Sequence, residues 1–113
     1  MATEYLNIVL TKVTKLFDLG LSWEQTETEI KNIFEIKDSE QRYVFDLIQQ
    51  RAAQYPLLAG FCYKLGAGTM KDEKKAFKHW EQDNTSYGHY CVGRSYLCGW
   101  GVNLDYDKAF FLF

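Results

Sequence analysis

Proline is nearly absent from this chain: Pro56 stands alone, just beyond Tyr55, and marks a turn into the element that follows. Glycine is scarce at first as well. Gly20 is the only one before residue 59, and the other seven (Gly60, Gly66, Gly68, Gly88, Gly93, Gly99, Gly101) come after it, so the two halves are organised differently. An excess of charge of either sign is missing too. Thirteen Lys and Arg face fifteen Asp and Glu for a net charge of -2, which gives no electrostatic reason to expect nucleic acid or an anionic membrane as partner. No apolar run approaches the roughly 20 residues that cross a bilayer. Met1 to Leu10 carries Glu4 and no Lys or Arg, so the basic front end of a secretory signal is lacking. These absences together predict a soluble, cytoplasmic protein.

Metal and redox signatures are also thin. Cys62, Cys91 and Cys98 are an odd number with no C-x-x-C spacing, and His79 and His89 stand at no short ligand spacing from them. Reduced core thiols are the plainer reading, with no metal and no cofactor. Cys91 and Cys98 are seven apart, two helical turns, and are expected to share a packed face.

What the chain does have is apolar and aromatic mass, 47% and 17% of its residues, enough for one buried core. The first half reads as three helices. Leu6, Val9, Val13, Leu16 and Phe17 form one stripe that Gly20 stops. Ser22 and Gln25 have the form of a capping box for a helix whose apolar side carries Trp23, Ile30, Ile33 and Phe34. A third helix, Asp38 to Ala53, is predicted from Tyr43, Val44, Leu47, Ile48 and Ala52, and takes the part of a repeat's second helix.

The second half repeats itself. A shift of 33 places brings Gly60 onto Gly93, Tyr63 onto Tyr96, Gly66 onto Gly99 and Gly68 onto Gly101. It goes on to match Asp72 with Asp105, Lys75 with Lys108, Ala76 with Ala109 and Phe77 with Phe110, while Trp80 meets another aromatic, Phe113. The physical unit is helix, glycine turn, helix. Gly60 or Gly93 lets a second backbone approach closely, Gly66/Gly68 and Gly99/Gly101 reverse the chain, and Asp72 or Asp105 caps the next helix. The apolar stripe of that next helix, carrying Ala76 or Ala109, is too wide for one hairpin to cover, so neighbouring hairpins are expected to stack.

This pattern, Gly60-x-x-Tyr63-x-x-Gly66-x-Gly68 with Asp72-x-x-Lys75-Ala76 and its copy at Gly93 to Ala109, resembles the Sel-one-like repeat, an α/α relative of the tetratricopeptide repeat. The resemblance covers residues 54 to 113. It implies an all-α fold: an α/α solenoid with an N-terminal three-helix segment (1-53), a first repeat (54-85) and a second, truncated repeat (86-113). It also implies a protein-binding adaptor in signalling or protein quality control. Alternatives are a small regulatory or effector protein using the same surface, or the regulatory part of a larger kinase-linked signalling protein. No glycine-rich nucleotide loop with catalytic-loop signatures stands in this sequence. The chain stops inside the second helix of its second copy, as a truncated product or excised fragment would.

Two functional surfaces follow. Stacked hairpins leave an inner surface made by their first helices, where helical phase nominates Phe61, Lys64, Arg94 and Leu97, with Trp100 at the turn, as exposed anchors for a protein partner. Phe61 and Leu97 read equally well as core. At the far end, Phe110 to Phe113 would be covered by a next repeat, and their exposure predicts self-association unless they fold back onto the body. His79, Asp72 and Cys62 could be written as a catalytic set, but no local signature supports one, and the chain is read as non-enzymatic. Gly66-Ala67-Gly68 lacks the length and the Gly-Lys-Ser/Thr ending of a phosphate loop. Lys71, Lys74, Lys75 and Lys78 are interleaved with acids as on a solvated helix face.

Overall fold

In the computed structural model, which describes residues 2–34, 38–50 and 54–112, every regular element is an α-helix. Seven follow one another: α1 (Ala2–Asp18), α2 (Trp23–Ile33), α3 (Asp38–Gln50), α4 (Pro56–Leu65), α5 (Glu73–Glu81), α6 (Ser86–Cys98) and α7 (Tyr106–Leu112). They fill a body of 45 × 27 × 23 Å.

The helix ends lie where local chemistry puts them. α1 stops two residues before Gly20, whose φ is +67°. Ser22 accepts from the Gln25 N–H at 3.2 Å while the Gln25 side chain accepts from the Ser22 N–H at 3.1 Å, closing the expected capping box on α2. Pro56 is the first residue of α4, where its missing N–H costs nothing. α3 is described to Gln50; Ala52, placed in this helix by its spacing, lies outside the described residues, as does the side chain of Leu6. Tyr43 is a correction: it is exposed, and Phe45, two residues on, is buried in its stead, because the buried face of α3 runs through Val44, Phe45 and Ile48.

α4 with α5, and α6 with α7, form two hairpins that agree bond for bond. Gly66 and Gly99 end the first helices at φ 70°, ψ 33° and φ 71°, ψ 35°, the left-handed region that only glycine enters without penalty. Gly68 and Gly101 both stand at φ +73°. The N–H of Asp72 then donates to the Tyr63 carbonyl at 2.8 Å, and that of Asp105 to the Tyr96 carbonyl at 2.9 Å. Each aspartate caps its helix, Asp72 Oδ1 accepting from the Lys75 N–H and Asp105 Oδ1 from the Lys108 N–H, both at 3.1 Å. Lys75 sits over the Tyr63 ring and Lys108 over the Tyr96 ring.

The junctions between neighbours also agree. Gly101 lies against the backbone at Glu73 and Gly68 against the backbone at Gln41, each so closely that an added Cβ would fall under 3.0 Å from it. Phe77 meets the edge of Tyr96 (5.5 Å, 81°), and Phe45 meets the edge of Tyr63 (5.3 Å, 88°). α3 therefore presents to α4 the same two features, a first-turn backbone and a phenylalanine four residues on, that α5 presents to α6. Ala76 and Ala109 are buried in the second helices. In the first, Gly60 and Gly93 are both buried.

α1 packs on α2 and α3 and closes the other end, bringing Val9, Val13 and Leu16 into the core.

Candidate protein-binding face

One side of α4 carries Phe61 and Lys64, and one side of α6 carries Tyr87, Tyr90 and Arg94, residues three or four apart that helical geometry places in a row. Trp100 follows in the turn after α6. Four of the five residues nominated from helical phase, Phe61, Lys64, Arg94 and Trp100, converge on this one side. It is already covered by α2 of the same chain.

Trp23, the first residue of α2, is the centre of the contact. Its ring lies 5.2 Å from Phe61, 5.6 Å edge-on from Trp80, 5.8 Å from Tyr90 and 5.1 Å from Trp100, and it is 3% exposed. Such aromatic pairs each add about 0.5–1.5 kcal/mol beyond the area they bury. Phe17 of α1 extends the cluster, stacking on Phe61 at 5.8 Å and tilting against Tyr87 at 4.5 Å. The Tyr87 hydroxyl donates to Thr26 Oγ1 at 3.4 Å, and burial pushes the phenol up to about 12 despite that bond.

Charge follows the same pairing. Lys64 is flanked by Glu27 of α2 at 3.7 Å and Glu73 of α5 at 3.4 Å, and its ammonium lies 4.2 Å from the centre of the Trp100 ring. Glu27 also accepts from the Trp23 indole N–H, so one carboxylate serves both the anchor ring and the buried cation. Arg94 pairs loosely with Glu24 at 3.8 Å and spreads over the rings of Trp23 and Trp100 at 5.6 and 5.8 Å. Its Nε is buried and meets no acceptor among the described residues.

Phe61, which read equally well as anchor or core, is fully buried core, and one nomination is corrected: Lys64, expected to be exposed, is only 7% exposed. The cause is α2, which lies over the face that hairpin stacking alone would leave open. Trp100 and Arg94 remain half-buried, as does Leu97 further along α6. Residues that phase did not nominate, Trp23, Glu24, Thr26, Glu27, Tyr87 and Tyr90, complete the face. Tyr87, Tyr90 and Arg94 carry a readable signal in their spacing of three and four, whereas the α2 residues are joined to it only by tertiary contact.

The remaining candidates are placed apart. Cys62 is fully buried and its thiol is pushed up to about 12, the reverse of what an activated nucleophile needs. Cys91 is buried likewise, with its thiol raised by desolvation and by Asp83. Cys98, expected to share the packed face of Cys91, is exposed at the last residue of α6. His79 stacks flat on Tyr63 (5.5 Å, 8°), and desolvation together with Lys75 lowers its pKa below the ordinary histidine value. Asp72 is committed to its cap. Phe110 and Phe111 point away from the body at 85% and 91% exposure, while Phe113, the counterpart of Trp80, lies outside the described residues. Among the described residues no helix is long and apolar enough to cross a membrane.

Compared with known proteins, this chain matches no protein-family model, no curated protein and no solved structure.

Proposed function

We propose that this chain is a non-enzymatic, cytoplasmic adaptor of the Sel-one-like kind, a short α/α solenoid that binds another protein through the α4/α6 face. The observation that carries the reading is the make-up of that face: Arg94 and Trp100 reach its surface beside the buried Lys64, a combination of cation and aromatic rings that anchors protein interfaces more than any other. The matched hairpins support the solenoid, since each second glycine and each Phe/Tyr edge contact recurs at the next junction. The Arg94 guanidinium is half-buried over the Trp23 and Trp100 rings, a planar cation of the kind that pairs with carboxylates at interfaces. The test is recovery of co-purifying proteins by mass spectrometry with the wild-type chain and with Arg94→Glu. A partner that is recovered with the first and lost with the second is expected; the same set of proteins on both, at equal levels, rejects the surface.

A second reading rests on α7. Phe110 falls 33 residues after Phe77, and Phe77 is covered by Tyr96, whereas Phe110 and its neighbour Phe111 are bare. Exposed rings at the end of a stack favour self-association through this end.

A further inference from the structure

Three helices of the stack carry the same half of a junction, a first-turn residue with a phenylalanine four positions later: Gln41 and Phe45 in α3, Glu73 and Phe77 in α5, Tyr106 and Phe110 in α7. On the first two, the next helix and its turn deliver one pair of contacts. Tyr63 meets Phe45 edge-on at 5.3 Å while Gly68, five residues further, lies against the Gln41 backbone. Tyr96 and Gly101, again five apart, do the same to Phe77 at 5.5 Å and to the Glu73 backbone. Phe45 and Phe77 are buried in consequence, whereas Phe110 is 85% exposed and Tyr106 is exposed beside it.

Resting on the solenoid reading above, we propose that α7 is the docking surface for a helical hairpin of a partner protein, one whose first helix carries a tyrosine and whose turn places a positive-φ glycine five residues later. That is the Tyr-x-x-Gly-x-Gly pattern of this chain's own hairpins. Continuity with the two formed junctions decides the occupant. A tyrosine and a glycine at that spacing meet ring and backbone together, and the glycine is required because Gly68 and Gly101 have no room for a Cβ at the corresponding contacts. An apolar helix of another kind would cover Phe110 and leave the Tyr106 backbone untouched. A second folded copy has no such pair to give, since its Tyr63 and Tyr96 are already held by Phe45 and Phe77. Bare Phe110 and Phe111 still favour association of the chain with itself, and the hairpin competes with that use by covering Phe110.

The full chain extended by a second copy of residues 81–113 tests the fit, because the shift of 33 carries Trp80 onto Phe113 and so sets the added hairpin in register on α7. Double-mutant cycles followed by urea denaturation read the contact. Phe77→Leu with Tyr96→Leu in the unextended chain is the internal standard, and leucine keeps each position apolar so that the variants fold. Phe110→Leu with Tyr96→Leu in the added copy is expected to couple with the same sign, by about three-fold or more in the unfolding constant. Coupling at the standard pair and none at Phe110 overturns the proposal and leaves the solenoid standing; coupling at neither pair removes both. A fluorescein-labelled peptide of residues 81–113, titrated with the chain and followed by fluorescence anisotropy, supplies the hairpin from a separate molecule. It is expected to bind the wild-type chain, to lose about ten-fold in affinity with Phe110→Glu in the chain or Tyr96→Ala in the peptide, and not to bind the extended chain. No uptake by the wild-type chain, or uptake indifferent to Phe110, overturns docking from a partner. A wild-type dimer that is lost with Phe110→Glu and kept on extension assigns the ring to a second copy and overturns it as well.

Discussion

The indole of Trp80 fills the space that a side chain at position 60 would occupy: a Cβ built on Gly60 falls under 3.0 Å from the Trp80 ring, whose Nε1 donates to the Leu57 carbonyl at 3.3 Å. Trp80 thus packs closely on α4 and also meets Trp23 of α2 edge-on at 5.6 Å. The hairpin and the covered face share one residue.

Replacing Gly60 with alanine is expected to destabilise the protein by about 1–3 kcal/mol, although alanine is the better helix former by up to about 1 kcal/mol. Trp80 is fully buried and has no room to yield. Gly20→Ala, with open space around it but a positive φ, is the control and is expected to cost about 1 kcal/mol. Urea denaturation of the two variants checks the order; equal losses would remove the packing argument.

Thiol labelling separates the three cysteines. Alkylation of the native protein at pH 8 is expected to modify Cys98 within minutes and to spare Cys62 and Cys91, which are buried and hold their protons well above the ordinary thiol range. All three are expected to react in denaturant. Mass spectrometry counts the adducts, and rapid native labelling of Cys62 would show that the core opens far more readily than its packing implies.

His79 confers a pH dependence of defined sign. Its folded pKa lies below the model-compound value of 6.5, because burial and the nearby Lys75 disfavour the cation, and its Nδ1 is buried with no partner among the described residues. The unfolded chain therefore binds the proton first as pH falls. Stability is complete above about pH 6.5, declines as the pH drops from there towards the folded pKa, and is level below it with respect to this group. Thermal unfolding between pH 7.5 and 5 is expected to show a smaller decline in His79→Gln than in wild type. Parallel curves would assign the slope to other groups.

Phe110 and Phe111 are the exposed rings at the α7 end. Light scattering across a concentration series is expected to show association of the wild-type chain, and Phe110→Ser with Phe111→Glu is expected to reduce it while leaving the melting temperature within a few degrees, because neither ring is packed in the core. A monomeric wild-type protein at every concentration would discard self-association through this end.

Turns, caps and helix ends were legible in the sequence because each is decided by residues a few positions apart. Glycines at 66, 68, 99 and 101 fix left-handed backbone angles, Ser22, Asp72 and Asp105 supply oxygens to the first turns that follow them, and the shift of 33 announces that the two hairpins share one plan. Thr85, which caps α6 by accepting from the Gly88 N–H, was missed for want of an acid or glutamine to mark it. Which face of α4 is free was not legible. Leu58 through Lys64 are all buried, and a helix that is apolar all round has no phase to read.

Sequence alone thus determined the hairpins, since local hydrogen bonding and backbone sterics leave their glycines and aspartates few alternatives. Tertiary structure alone decided that α2 covers the face of Phe61, Lys64, Arg94 and Trp100. That choice depends on one tryptophan and two glutamates meeting rings and cations some 35 to 80 residues away in the chain, a complementarity that exists only once the helices are in place.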